Sequence, residues 1–216
     1  MQPKNSTLTL GDDTYTHFTK AIYRLKIETS YSGMGTFANP IERFPDLRVH
    51  NAIYLSTESD ENAGMDGGIE PSLELFEPLI EATDHYFLPW NIPEGLTITD
   101  DGEWEGWSAW MGNDNGPIYD SKLQFLGASD SQIRVRWTGS DSDDRPFVFE
   151  GTLQIMPIIM YGVASLNLPQ ILHRLFGEVQ AASLIVDASP VRESQIPEWI
   201  RYEIRKKVSQ AIAVFV

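Results

Sequence analysis

Polar and apolar residues alternate with a period of two at several places along the chain, which predicts β-strands. The alternation is strict over residues 23–31 (Y-R-L-K-I-E-T-S-Y), so we expect a strand there with one face open to water. Residues 48–57 are rich in β-branched and aromatic side chains and predict a second strand. The pattern is less regular over residues 71–86, where Leu75 and Leu79 lie four residues apart, and there we predict helix.

Five further strands are predicted in the middle of the chain. They cover residues 96–99, 104–111, 119–126, 132–138 and 146–156. The sequences between them are rich in Gly, Asp, Asn and Ser, which are the residues typical of tight turns. Strands joined in this way pair with their neighbours along the chain, so we expect an antiparallel β meander that forms a curved sheet or partial barrel.

The C-terminal quarter changes to a helical period. Asn167 can cap a helix that ends at Gly177, and Ser194 can begin a second helix with an apolar residue at every fourth position. The last residues, 211–216, are wholly apolar and predict a buried strand or turn, or else an assembly contact. The predicted fold class is therefore α+β, with residues 1–216 forming a single domain in which C-terminal helices pack on the meander.

Composition limits the class of protein. The chain has 216 residues, of which 42% are hydrophobic and 22% charged, as in ordinary folded globular proteins. It contains no cysteine, which excludes disulfides, thiolate metal sites and cysteine nucleophiles. The first residues are polar, and the most apolar run, residues 155–166, is too short and too interrupted for a membrane span. We therefore expect a cytoplasmic protein without a secretory signal or a membrane span.

Charge is distributed unevenly along the chain. Lys and Arg number 16 against 31 Asp and Glu, and the resulting net charge of −15 disfavours nucleic acids and anionic membranes as partners. Residues 49–121, which we name the acidic segment, contain 16 Asp or Glu and no Lys or Arg, so they carry −16. This segment predicts a negative surface that either keeps the protein soluble or docks a protein partner with a basic face.

Motifs for catalysis are missing from the sequence. It has no glycine-rich dinucleotide fingerprint, phosphate-binding loop or paired-histidine metalloprotease motif, and its four histidines are far apart. We therefore expect no cofactor and no metal. In the loop of residues 139–146, Asp141, Asp143 and Asp144 could offer oxygens to calcium, or they could simply form a solvated hairpin tip.

The strongest candidate site interleaves carboxylates with tryptophans. Its residues, which we name the tryptophan segment, are Asp100, Asp101, Glu103, Trp104, Glu105, Trp107 and Trp110. Because Trp is enriched at the centres of protein interfaces, the segment is predicted to bind a protein partner. Two other interpretations stay open. The tryptophans could belong to the core of a sheet, or the carboxylates and tryptophans could form a glycosidase-like site.

These features lead to one main functional hypothesis. We expect a non-enzymatic acidic protein that binds a basic partner protein, either to neutralise it, as a bacterial immunity protein neutralises a toxin, or to assemble with it. One alternative is a carboxylate-dependent hydrolase acting on glycans or esters. Another is a structural subunit of a larger assembly, in which residues 155–166 or 211–216 pack against neighbours.

Overall fold

Strands make up most of the chain that the structure describes. The structure is a computed structural model, and it describes residues 6–29, 47–58, 69–75, 86–100, 107–111, 116–156, 158–161, 168–182, 184–187 and 211–215. The strands are β1 (Thr7–Leu10), β2 (Asp13–Tyr15), β3 (Phe18–Thr29), β4 (Leu47–Thr57), β5 (Pro71–Leu75), β6 (Thr97–Thr99), β7 (Trp107–Met111), β8 (Gly116–Pro117), β9 (Tyr119–Ala128), β10 (Gln132–Ser140), β11 (Pro146–Ile155), β12 (Ile158–Tyr161), β13 (Ile185–Asp187) and β14 (Ala211–Phe215). The described elements also include a 3-10 turn over Pro89–Asn91 and one α-helix, α1 (Leu168–Ala181). A mostly-sheet chain with a helix near its C-terminal end agrees with the predicted α+β class.

The chain divides into two compact units. The first comprises Met1–Arg24, Asn51–Glu77 and Phe87–Met156, and the second comprises Leu25–His50, Pro78–Tyr86 and Pro157–Val216. Strands β3 and β4 contribute to both units, because the boundaries fall within them. The single domain expected from the sequence stays a prediction.

In the first unit the paired strands follow the order β6-β9-β10-β11-β3-β4-β5-β7-β8. Strands β9, β10 and β11 form an antiparallel meander, as the sequence predicts. The meander does not extend to β7, which pairs with β5 and β8 instead. Turn sequences indicate only where a strand ends, and they could not reveal that the partner of β7 lies far away along the chain.

The prediction of a helix over residues 71–86 is wrong for its first part, because the structure shows that Pro71–Leu75 is strand β5. Leu73 of this strand lies in register with Ile53 of β4 and Ala109 of β7, and all three side chains are buried. This apolar row across three strands outweighs the weak helical spacing of two leucines. Most of the remaining predicted helix lies outside the described residues.

Both faces of strand β3 are buried over residues 21–24, where the portion of this strand that belongs to the first unit ends. Ala21, Ile22, Tyr23 and Arg24 are all buried, and Arg24 is only 2% exposed. Successive strand residues point to opposite faces, so neither face is open to water here. The open face predicted for this strand is therefore wrong at Arg24.

Strand β11 makes the most varied pairings of the first unit. One of its edges pairs with β10 from Pro146 to Gln154. The other edge is shared: β1 pairs antiparallel with residues 147–150, and β3 pairs parallel with residues 154–155. Two strands of opposite direction therefore meet along one edge of β11.

Gly151 lies at the point where these two strands meet. A Cβ atom at this position would lie 2.6 Å from the Ser6 Cβ and 2.9 Å from the Phe149 Cζ, closer than such atoms can approach. Ser6 is buried, and its hydroxyl accepts a hydrogen bond from the Thr152 N–H at 3.1 Å. The close approach of Ser6 therefore requires glycine at position 151.

Aromatic side chains fill the core of the first unit. Tyr23, Phe125, Trp137, Phe147 and Phe149 are each at most 1% exposed. Trp137 packs edge-to-face on Phe147 with ring centroids 4.6 Å apart, and Tyr23 packs in the same way on Phe125 at 6.3 Å. Such pairs stabilise a fold by about 0.5–1.5 kcal/mol each beyond the area that they bury.

The polar atoms of these aromatic residues have buried partners. The Tyr23 hydroxyl donates to the Asn51 Oδ1 at 2.7 Å, and the Trp137 Nε1 donates to the Ser121 Oγ at 3.2 Å. Burial raises the pKa of Tyr23, so this side chain is a neutral donor at all ordinary pH values. A buried donor or acceptor is costly when it lacks a partner, so each pair fixes the position of its strands.

In the second unit, strand β14 lies between β12 and β13 and pairs antiparallel with both. Strand β12 also pairs parallel with the second-unit part of β3. Residues 211–215 thus form a strand that pairs along both edges, as one of the two predictions for residues 211–216 states, and the predicted burial of their side chains stays a prediction.

Helix α1 buries an apolar stripe of four residues: Ile171, Leu172, Leu175 and Phe176. Gly177, which is predicted to end the helix, has φ 73° and ψ 164° and interrupts it, and the helix then resumes to Ala181. No helix among the described residues is both long and apolar enough to cross a membrane. Asn167 and the second predicted helix, from Ser194, lie outside the described residues.

Replacing Tyr23 by Phe should destabilise the protein, because the buried Asn51 Oδ1 loses its donor. We expect Y23F to lower the free energy of unfolding by about 1–3 kcal/mol in urea denaturation. Tyr119 is 43% exposed, so Y119F is the matched control and should leave the urea midpoint unchanged. Equal midpoints for Y23F and the wild type would contradict the buried hydrogen bond.

Replacing Gly151 by Ala should also destabilise the protein, by about 1–3 kcal/mol, because the added methyl group has no space beside Ser6 and Phe149. Removing the Ser6 side chain should relieve part of this strain. The double variant S6G/G151A is therefore expected to lose less stability than the two single variants together, which a double-mutant cycle measures. Additive losses would show that Ser6 does not limit the space at position 151.

Candidate functional site

The tryptophan segment is described only in part. Asp100 follows β6, is half-buried, and its N–H donates to the Ser121 carbonyl oxygen at 2.9 Å. Asp101, Glu103, Trp104 and Glu105 lie outside the described residues. Trp107 and Trp110 belong to β7, where the structure describes their backbone alone. The prediction that these seven residues bind a partner therefore stays a prediction.

Strand β7 is an interior strand of its sheet. Trp107 pairs with Leu75 of β5, and Trp110 pairs with both Ser72 of β5 and Pro117 of β8. The hydrogen-bonding edges of β7 are thus used over this stretch, so a partner could not add a strand beside Trp110. Recognition at this strand would have to use a face of the sheet.

Strands β3, β4 and β5, which precede β7 in the strand order, carry a group of half-buried and exposed polar side chains. Tyr54 and Ser72 are paired in register and half-buried, and the Lys20 Nζ lies 5.1 Å from the centre of the Tyr54 ring. Further along, the Ser56 hydroxyl accepts from Thr19 at 3.0 Å and donates to the Glu70 carboxylate at 3.1 Å. We name this surface, defined by Thr19, Lys20, Tyr54, Ser56, Glu70 and Ser72, the Tyr54 face.

The acidic segment contributes strands to two places in the sheet. Its strands β4, β5, β7 and β8 are neighbours in the strand order, whereas its short strand β6 lies at the other end of that order and pairs with β9. The segment's exposed carboxylates among the described residues are Glu58, Glu70, Glu94 and Asp120. Asp120 lies two residues before Lys122, whereas the other three have no Lys or Arg nearby in the sequence.

The loop suggested for calcium contains a carboxylate that already has its full set of partners. Asp141 is fully buried, and its Oδ1 accepts from the N–H groups of Asp143 at 3.0 Å and Arg145 at 2.9 Å. Its Oδ2 accepts from the Arg145 Nε at 2.8 Å and forms an ion pair with the Arg145 Nη2 at 2.6 Å. Among the described residues, no three His, Asp or Glu side chains come together as metal ligands would. Asp141 therefore holds the loop closed.

Two opposing effects act on the pKa of Asp141. Burial raises this pKa, but the hydrogen bonds from the Arg145 side chain and from the N–H groups of Arg145 and Asp143 outweigh it. The pKa of Asp141 is therefore lowered from its usual 3.8. The carboxylate is ionised at neutral pH, and the hydrogen bond between the Arg145 side chain and Asp141 raises the pKa of Arg145.

A second candidate site lies on the water-facing side of β9 and β10. Four side chains line a groove of about 280 Å³, which we name the basic groove: Lys122, Gln124, Arg136 and Thr138. Lys122 is paired with Thr138, and Gln124 with Arg136, so the four form a rectangle with the two cations at opposite corners. Along the sequence, Lys122 directly follows the acidic segment, which ends at Ser121.

Sequence reasoning identified only half of the basic groove. The alternation of residues 132–138 predicts the wet face that carries Arg134 and Arg136, and the structure confirms it, because Ile133, Val135 and Trp137 are buried while both arginines are exposed. The position of Lys122 beside this face depends on the register of β9 against β10. A bulge between Arg134 and Val135 shifts that register, and no local sequence signal indicates it.

Comparison with known proteins identifies no relative. No protein-family model, curated protein or solved structure matches this chain. Function must therefore be inferred from the charges and contacts of the described residues.

Replacing Asp141 by Asn should open the loop. In asparagine an NH2 group replaces one of the two carboxylate oxygens, and this group cannot accept a hydrogen bond from Arg145 or carry the charge of the ion pair. We therefore expect D141N to lower the free energy of unfolding at pH 7 by about 2 kcal/mol. Because the pKa of Asp141 is lowered in the folded state, its contribution is complete above the usual carboxyl pKa and is lost as the pH falls below it.

Urea denaturation between pH 7 and pH 2 checks this prediction. The stability difference between the wild type and D141N should shrink as the pH falls below 3.8. Asp144 is exposed and close by, so D144N is the control and should behave as the wild type throughout. A difference that stays constant down to pH 2 would mean that the Asp141 charge does not stabilise the loop.

Proposed function

We propose that this chain is a non-enzymatic protein that binds a basic partner protein through its acidic segment. The single observation that carries the proposal is the absence of any Lys or Arg from residues 49–121, which hold 16 acidic residues. A negative field of this size attracts a positively charged surface over several ångströms and raises the rate of association. The partner is neutralised or assembled by this contact, in an immunity-like role within the cytoplasm.

The strand order supports a localised negative surface. Strands β4, β5, β7 and β8 are adjacent, and all of their residues except Leu47 and Arg48 at the start of β4 come from the acidic segment. The exposed carboxylates of Glu58 and Glu70 flank the ends of this group of strands, at the end of β4 and immediately before β5. A partner that approaches these strands therefore meets a carboxylate at the end of β4 and another beside the start of β5.

The Tyr54 face supports a sheet-face mode of recognition. Tyr54 and Ser72 are half-buried and in register with the backbone of Trp110, whereas the neighbouring row of Ile53, Leu73 and Ala109 is buried. Aromatic residues that are partly covered in the free protein make good anchors, because their rings are already positioned and lose little entropy on binding. Carboxylates around such anchors supply the charge selectivity.

The test measures where a basic protein binds. Cytochrome c is the probe, and its affinity for the chain is measured by calorimetry from 20 to 300 mM salt. The first variant, E58Q/E70Q/E94Q/D120N, removes four exposed charges from the acidic segment. The control, D12N/D130N/D144N/E178Q, removes four exposed charges from the rest of the chain, so the two variants have the same net charge.

We expect the first variant to bind cytochrome c about tenfold more weakly at low salt, with a smaller dependence on salt, while the control stays close to the wild type. Hydrogen exchange in the complex should also slow in residues 100–111. Equal weakening of both variants would show that net charge, and not the acidic segment, attracts the probe. An affinity of the wild type that is independent of salt would contradict the proposal as well.

A further inference from the structure

The basic groove combines two cations with two neutral donors. Directly opposite residues of an antiparallel pair have Cβ atoms about 5 Å apart and diagonal ones about 7–8 Å, so the long side chains of Lys122 and Arg136 can reach one shared ligand. Gln124 and Thr138 occupy the other two corners. Every lining side chain can therefore donate a hydrogen bond into the groove, and no carboxylate lines it.

The two cations of the groove interact only weakly with acidic side chains of the described residues. The closest acidic group to Arg136 is Glu150 on β11, whose Oε2 lies 3.9 Å from the Arg136 Nε, a distance too long for a hydrogen bond. Both side chains of this pair are more than half exposed, so water weakens their attraction. Within the described part of the chain, Lys122 takes part in no ion pair. The groove thus keeps an excess of positive charge.

The surroundings of the groove favour a small anion over a polymer. A nucleic acid would meet a chain of net charge −15, and the lining lacks the aromatic side chains on which bases stack. A single dianionic group experiences mainly the charges within about one Debye length, which is roughly 8 Å at physiological salt. The volume of the groove, about 280 Å³, lies just below the range of about 300–1,000 Å³ that is typical of small-molecule sites, so the groove suits only a small ligand.

The number of donors distinguishes phosphate from carboxylate. A carboxylate has two oxygens, which one arginine fork satisfies. A phosphate monoester has three terminal oxygens and a charge close to −2, and so it can use an arginine, a lysine and two neutral donors together. We propose that the basic groove binds the phosphate group of a small phosphate monoester, held between Lys122 and Arg136 with Gln124 and Thr138 as additional donors.

The experiment is a titration of the full chain with glycerol 3-phosphate at pH 7.5, followed by amide NMR. We expect saturable shifts centred on residues 122–138, with millimolar affinity. The variants K122Q and R136Q should each weaken binding about fivefold or more, and R136K should lie between R136Q and the wild type. Arg174 is an exposed arginine of α1, so R174Q is the matched control and should bind normally.

Three further results would overturn the proposal. Shifts that are spread over all surface cations, Arg174 included, would show unspecific attraction. Acetate that binds as tightly as glycerol 3-phosphate would show a general anion site, and a short oligonucleotide that binds more tightly per phosphate would show a nucleic-acid surface.

The lining residues are on a water-facing side, so circular dichroism should show that all variants are folded. A loss of binding in a folded variant then reports on the groove. The cytochrome c measurement above does not involve these residues, so either proposal can fail alone.

Discussion

The pairing of strand β11 with three other strands is the constraint on which the first unit depends. Its second edge accepts β1 in one direction and β3 in the other, and the two meet where Gly151 leaves space for Ser6. The parallel pairing with β3 is what connects the meander of β9, β10 and β11 to β4, β5, β7 and β8 in the strand order. Without that connection the two groups of strands would have no shared ladder of hydrogen bonds.

The same connection divides the acidic segment between two groups of strands. Its strands β4, β5, β7 and β8 lie on the β4 side, whereas its short strand β6 pairs with β9. Strands β9 and β10 carry Lys122, Arg134 and Arg136 on their water-facing side, so a chain that is strongly acidic on average presents a local positive groove. The two proposed sites differ in the sign of the ligand that they attract.

The sequence predicts those elements whose signal is local. Alternation identifies β4, β9, β10 and β11, because each has one buried and one wet face or a dense run of β-branched residues. It fails for β5, whose partners are distant in sequence, and for Arg24, whose strand is covered on both faces. The candidate sites follow the same rule. Asp141 is an exception, because its partners lie within five residues and yet the sequence suggests only a calcium ligand or a solvated hairpin tip and not a buried ion pair. The basic groove requires the register of two strands, and the tryptophan segment is recognisable only by its composition.

The hydrogen bond between Ser6 and Thr152 spans 146 residues of chain. Ribosomes add about 5–20 residues per second, so the first strands are synthesised roughly 7–30 seconds before β11 exists to receive them. During this interval the apolar side chains of β1 and β3 have no sheet to join and are available to chaperones or to other nascent chains. Folding of the first unit consequently has to wait for β11, the last of its strands to be synthesised. The order of synthesis, rather than the final packing, decides how long its N-terminal strands are at risk of aggregation.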